Sequence, residues 1–387
     1  MDLRTSNTIC DAESLPESRT RNDNSPALTI AQVMLAYLNM ILPKDWRRDA
    51  NTPWSRSPSP NFSLDAAGLV ALADIRTIAL RTALTGTSAF LDTFVLCPGI
   101  HSQQSAPELN GGEYPACGAM TSGYVFRVEN PATVLYLQKV GLTGQLTTLS
   151  VKSIQHNASQ WNNLISRFFT FQTASFTSSC AYLVAVAMTA TALTLLAFSQ
   201  NWWGLTVVLF LCTSRLCNVI VIRRRTNVSW QGAAEPGVKG DLLILLSQDR
   251  WIRMKGMVDD LKAVTSGQWL RDMTFLESSV AAFATLLVFL DAALASNVDQ
   301  VGKMILLVLL IASAGVLAIA NETTQMLQMH GRVIKVEGSR TKYQRRLEMV
   351  EQLIRESGRD DWAMRMGMIV RKDEKDSRKD SQEGVTM

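Results

Sequence analysis

Two apolar runs set back to back decide most of what this chain can become. Residues 178–198 read SSCAYLVAVAMTATALTLLAF, and after the polar break Ser199-Gln200-Asn201, residues 202–222 read WWGLTVVLFLCTSRLCNVIVI. At a helical rise of about 1.5 Å per residue, each run covers a hydrocarbon core of about 30 Å. Lipid offers no partner to a backbone N–H or C=O, so both runs are expected to be spanning helices. Trp202 and Trp203 stand where an interfacial aromatic belt sits, and Arg223-Arg224-Arg225 stop the second run. A second hairpin follows at 278–295 and 301–320, joined by residues 296–300. Small residues recur at four-residue steps, among them Ala181, Ala185 and Thr189, then Ala281 and Thr285, then Ala314 and Ala318. Such stripes permit close helix approach, and they are also simply common in membrane helices.

The expected fold class is mainly α: a polytopic membrane protein with four transmembrane helices in two hairpins, plus a small cytosolic α+β N-terminal domain. The average composition, 47% hydrophobic and 19% charged, hides this segregation of apolar runs from polar tails. A formal charge of +4 is too small to argue for nucleic acid. Six cysteines without CxxC spacing and only three histidines, His101, His156 and His330, point to no zinc module and no multi-histidine iron site. HExxH, P-loop and GxSxG motifs are missing from the sequence. No catalytic residue, metal or cofactor is therefore expected.

Residues 1–64 read as disordered chain and linker, with an apolar segment at 27–43 that fits an interfacial helix, a buried helix or a short span. Residues 1–26 are polar and mixed in charge, unlike a signal peptide. In 65–97, Asp74, Thr77, Arg81, Thr85, Ser88 and Asp92 form a narrow polar stripe on an otherwise apolar helix, which Gly86 can break. Residues 124–128, 133–140 and 146–154 look like short strands, and 161–176 like an amphipathic helix. Together 65–177 is expected to be a small α+β domain. Cys97 and Cys117 flank its loop, either as free thiols or, in an oxidising compartment, as a disulfide.

Between the hairpins, 223–277 is expected to be a cytosolic amphipathic loop. Leu242 to Leu246, with Trp251, Ile252 and Met254, reads as a helix lying at the interface with Lys and Arg reaching for headgroups. Its Trp and Gly density suggests docking, through Trp251 and Trp269, onto the membrane or onto the 65–177 domain. After the last span, 321–387 is expected to hold an amphipathic helix at 340–356 and a disordered tail.

The positive-inside rule orients the chain. The middle loop carries Arg223, Arg224, Arg225, Lys239, Arg250, Arg253, Lys255, Lys262 and Arg271, and the short turns on the other side carry only Lys303. The 223–277 loop, the C-terminus and the 65–177 domain are thus expected to be cytosolic. The sequons at Asn61, Asn157, Asn227 and Asn321 would then all face away from the glycosylating side.

Arg215 lies inside the second span and is a functional candidate, or a residue that snorkels or pairs structurally. Asp291 lies near the opposite face, so the nearer Glu277 is the expected partner of Arg215. Asp259 and Asp260 form a weak metal-binding pair or a solvated helix edge. Arg340, Lys342, Arg345 and Arg346 fit anionic lipid headgroups or a partner helix. The stretches SQNWWGL and GDLLILLSQDRWIRMKGMVDDLKAVTSGQWL, with the close hairpins, resemble uncharacterised multi-span membrane proteins of filamentous fungi; the resemblance implies no activity. The reading that follows is a non-catalytic scaffold, adaptor or accessory subunit, with a protein partner or a second copy of itself. A membrane-bound enzyme on a lipid or terpenoid-like substrate comes next, and a transport component third.

Overall fold

The computed structural model describes residues 67–153, 176–226 and 232–370. Expectations for 1–64, for all but the last residue of 161–176, and for the tail from Arg371 lie outside the described residues, as do Asn61, Asn157 and Asn227.

The expected single helix of 65–97 is three short pieces. A 3-10 turn at Ala67–Leu72 is followed by α1 (Thr77–Thr85) and a second 3-10 turn at Phe90–Phe94. Gly86 does end α1, with a φ of 68° that an L side chain adopts at a cost. A long 3-10 stretch, Ile100–Asn110, leads to β1 (Ala116–Ala119) and β2 (Val125–Arg127). Residues 133–140 are not a strand but the body of α2 (Pro131–Val140). Pro131 occupies the first turn and the Asn130 side chain accepts from Thr133 N, a start signal that outweighs the β-branched composition. β3 (Gln145–Ser153) follows as expected.

The long helices are α3 (Phe176–Phe198) and α4 (Trp202–Arg225), then, after the middle segment, α6 (Phe275–Leu294) and α7 (Gln300–Glu322). All four are long and apolar enough to cross a membrane. α3 packs on α7 and α4 on α6. α4 and α7 are the inner pair, 56% and 50% buried over their most apolar stretch, against 28% for α3 and 33% for α6.

The middle segment overturns the expectation of an interfacial helix. It forms β4 (Lys239–Leu246), β5 (Arg250–Met257) and α5 (Val258–Thr265). Gln248 and Asp249 both take positive φ, the conformation a tight hairpin asks of its central residues. Residues beyond α7 add β6 (Met326–Met329), β7 (Arg332–Val336) and β8 (Thr341–Lys342). The expected helix at 340–356 starts later, as α8 (Arg346–Ser357), and α9 (Asp361–Arg365) follows.

The strands join in one mixed sheet of order β2-β1-β4-β5-β3-β7-β6, with β8 also on β3. β3 and β5 run parallel and the other pairs antiparallel. The sheet therefore draws on three stretches of chain, and the expected boundaries at 65–177, 223–277 and 321–387 do not separate it into parts. Side-chain alternation gives it two apolar faces. One holds Leu149, Leu242, Ile244, Ile252 and Met254 under α1, α2 and α5, and Ile222 from the last turn of α4 enters the same core. The other holds Leu146, Leu243 and Trp251 under Met349, Val350 and Leu353 of α8 and Trp362 of α9. The first face thus looks toward the bundle and the second away from it.

Candidate functional site: a polar seam inside the bundle

The space between the helix pairs is filled by residues 67–110. The turn Ala67–Leu72 packs on α6, α7 and the short 3-10 turn Ala295–Asn297, at the end of the bundle far from the sheet. Contact there is close: a Cβ on Gly68 would stand 2.5 Å from Ala295 Cβ and 2.7 Å from Ala292 O. Fourteen positions on, Arg81 reaches the sheet end, where Nη1 donates to Ser178 Oγ and to Thr324 Oγ1, each at 3.2 Å. The chain so runs the length of the bundle between 67 and 85. It then turns back in: Phe90–Phe94 packs on α3 and α4, and the His101 ring lies 6.2 Å from that of Phe289 on α6.

This segment carries the polar groups that meet the helices. Tyr182 of α3 donates to Asp92 Oδ1 at 2.5 Å, and Ala89 N donates to Asp92 Oδ2 at 2.9 Å. The Arg81 guanidinium lies 5.3 Å from the Tyr182 ring centroid. Arg215 of α4, 1% exposed, donates from Nε to Asp92 O at 3.1 Å and from Nη1 to Gln103 Oε1. Gln103 Nε2 continues to Thr82 Oγ1 and Ser88 Oγ. Gln104 Nε2 donates to Asn218 Oδ1 at 2.9 Å, and Arg225 Nη1 donates to Gln104 Oε1 at 3.1 Å. Two buried guanidiniums lie near one buried carboxylate here, whose own oxygens are taken by Tyr182 and Ala89 N. Such a seam fixes the register of 67–110 against the helices, because slipping it by a residue would strand buried charge.

The sequence candidates divide accordingly. Arg215 is in the seam, paired structurally rather than snorkelling. Glu277 is not its partner: the carboxylate takes Arg271 Nη1 at 2.9 Å and Nη2 at 2.5 Å, with Arg224 Nε at 3.4 Å. The sequence distance from Arg215 was compatible with a pair, but Arg271 is nearer, and the Thr274–Glu277 capping box holds Glu277 at the helix start. Asp291 is fully buried on α6, and neither carboxylate oxygen has a hydrogen-bond partner among the described residues. Thr93 Oγ1, His101 Nδ1, Thr189 Oγ1 and Ser313 Oγ share that condition.

Trp251 and Trp269 do not touch a membrane. Trp251, 3% exposed, is in the outer core under α8, and Trp269 Nε1 donates to Gly86 O at 2.8 Å beneath the inner face. Of the two docking surfaces expected for this segment, the structure has the second: β4 pairs with β1 and β5 with β3. Asp259 and Asp260 are each engaged with a protein partner rather than standing on a free edge. Asp259 Oδ1 accepts Glu235 N at 2.8 Å, and Asp260 pairs with Arg332 Nε at 3.0 Å. Among the described residues no cluster of three His, Cys, Asp or Glu side chains can hold a metal. Arg345 and Arg346 precede and open α8, on the sheet face turned away from the bundle, and Arg346 pairs with Asp249. Cys97 and Cys117 are both buried free thiols, and burial pushes the Cys117 thiol well up from its ordinary range.

Arg81 and Asp92 stood in the polar stripe read from sequence. Tyr182 and Gln103 were missed, the first because a tyrosine within an apolar run reads as an interfacial residue. Charges in two separate apolar stretches, Arg81 and Asp92 in 65–97 and Arg215 in the second long run, were the available signal that these stretches meet. Compared with known proteins, the chain matches no family model, no curated protein and no solved structure.

Proposed function

We propose that this is an integral membrane protein with its sheet in the cytosol, and that it works without catalysis, as a scaffold, adaptor or accessory subunit that presents the sheet at the bilayer. The carrying observation is the stitching of the sheet: stretches separated by helix hairpins interleave in it, and α4 ends inside its core. Bundle and sheet are then one rigid piece, suited to holding a partner at fixed height and orientation.

The membrane reading is supported by the outer surface of the bundle. Leu183, Val184 and Leu195 of α3 and Val280, Phe283, Leu286 and Leu290 of α6 are exposed. Exposed Phe176 and Phe275 mark one end of that surface, and exposed Phe198, Trp202 and Trp203 the other. At about 1.5 Å per residue the two rings stand about 30 Å apart, the thickness of a hydrocarbon core. The arginines at the sheet end favour the cytosol for the sheet. Residues 67–72 then lie at the opposite leaflet, and 67–85 is a fifth, broken crossing. On this reading 67–85 and the returning stretch 90–104 lie within the bundle, and the cytosolic placement expected for 65–177 is kept only for α2 and the strands. Broken backbone at that depth is tolerated because α6, α7 and residues 100–110 pack around it.

The function is tested by the mass of the protein extracted from its native membrane in mild detergent. The reading expects a stable complex with a different chain, well above the 42.7 kDa of one chain plus detergent. A lone monomer, or copies of this chain only, would refute it. The enzyme alternative rested on carboxylates of 226–274, and Asp241, Asp259 and Asp260 are each engaged in structural contacts. A transport role is favoured by one observation, the unpartnered Asp291. Asp291→Asn that leaves ion flux into reconstituted vesicles unchanged would remove it.

A further inference from the structure

The outward faces of α4 and α6 carry a pattern that the rigid seam does not explain. From the sheet end, exposed positions on α4 run Arg224, Ile220, Leu216, Thr213 and Leu209, at steps of four and three, so they form one column. The neighbouring helix α6 carries its own exposed column, Leu276, Val280, Phe283 and Leu286. The two helices pack directly, with Ser214 Oγ donating to Ala284 O at 2.7 Å, so a groove runs along their contact with an exposed apolar column on each helix.

A guanidinium closes the sheet end of this groove. Arg271 takes both oxygens of Glu277, and Arg224 meets the same carboxylate more loosely, with Nε at 3.4 Å from Oε1. One carboxylate thus serves two arginines, and the Arg224 side chain remains 70% exposed. Its neighbours are fixed elsewhere: Arg223 lies 4.6 Å from the Phe90 ring centroid and donates to Ser88 O, and Arg225 donates to Arg271 O. The local charge is positive, and Arg224 is the most exposed of the three arginines. Exposed Phe275 and Met273 stand at the same level.

We propose that this groove binds one anionic glycerophospholipid of the sheet-side leaflet, its phosphate on the fork of Arg224 and its acyl chains along the two columns. The proposal rests on the membrane reading above and gives it a lipid class. Planar guanidinium donors suit a phosphate better than a point charge does, and apolar columns beneath them suit acyl chains. It moves the lipid contact from the residues first suspected, since Arg345 and Arg346 are on the outward sheet face, to the junction of the hairpins.

Native mass spectrometry of the delipidated full chain in detergent tests it, with phosphatidylglycerol, phosphatidylcholine and inorganic phosphate as probes. Phosphatidylglycerol is expected to bind about fivefold more tightly than phosphatidylcholine, the equivalent of about 1 kcal/mol for one well-placed basic residue. Arg224→Gln should abolish that preference, Arg224→Lys should retain part of it, and Arg346→Gln should leave it intact. Because Arg271 still holds Glu277, Arg224→Gln is expected to unfold at the same temperature as the parent protein. A preference that survives Arg224→Gln, or falls equally in Arg346→Gln, would overturn the site in favour of diffuse charge. Competition by inorganic phosphate as strong as by the lipid would reduce it to an ion site. Alkaline carbonate washing separates the two levels. Release from the membrane would sink the membrane reading itself, whereas retention without any lipid preference would sink only this site.

Discussion

Asp92→Asn is the substitution that most directly tests the seam. The carboxylate accepts Tyr182 Oη at 2.5 Å and Ala89 N at 2.9 Å, and its charge bears on both Arg81 and Arg215. An amide keeps the shape, but its NH₂ must point at one of two donors, so one hydrogen bond to a charged group is lost, about 1.5–3 kcal/mol. The two guanidiniums also lose a nearby counter-charge, which acts in the same direction. At about 2 °C per kcal/mol for a chain of this size, the lost hydrogen bond alone should lower Tm by roughly 3–6 °C in detergent. Tyr182→Phe removes the phenol alone and should cost about 1.5 kcal/mol, and the double variant should be less damaged than the sum by about 1 kcal/mol. Asp74→Asn, on an exposed residue of the same stretch, should move stability by less than about 0.5 kcal/mol. Thermal unfolding followed by thiol labelling of the buried cysteines supplies the measurement. A drop below about 2 °C for Asp92→Asn, or strict additivity with Tyr182→Phe, would refute the claim that buried charge locks 67–110 in place.

Further outcomes are expected. In oriented vesicles, a membrane-impermeant maleimide should label Leu69→Cys from the side opposite the one that labels Lys152→Cys, since both positions are exposed at opposite ends of the molecule; labelling of both from one side would contradict the fifth crossing. Gly86→Ala should be strongly destabilising in an urea or thermal melt, because its Cβ would stand 2.2 Å from Gln328 O at a φ of 68°. Glu356 is held below the ordinary glutamate range by Gln352 and then Arg253, so its contribution to docking α8 is fully present above about pH 4.5 and is lost as pH falls through the lowered value. Proteolysis of α8 should therefore rise on acidification in that window, and Glu356→Gln should flatten the profile.

The four long helices were legible because twenty consecutive apolar residues have few other uses. The sheet was not, for a local reason and a distant one. LLILL in β4 is buried on both faces, and a short run buried all round shows neither a period of two nor of 3.6. Its partners β1 and β5 give no sign of one another in sequence. Arg215 was recognised as costly, yet its partners, Asp92 and Gln103, sit on 3-10 stretches that read as helix and loop. Glu277 was assigned to the wrong arginine although Thr274-x-x-Glu277 announced a capping box, which ties the acid to its own helix start.

The strand order has a consequence for how the molecule is made. β3 leaves the ribosome before either of its neighbours, β5 behind the first hairpin and β7 behind the second. One of its edges must wait for the first hairpin to be made and the other for both, exposed to any other strand in reach. A chain arrested between the hairpins would hold β1 to β5 without the β7 edge, so the nascent protein depends on swift completion or on a chaperone covering β3 in the interval.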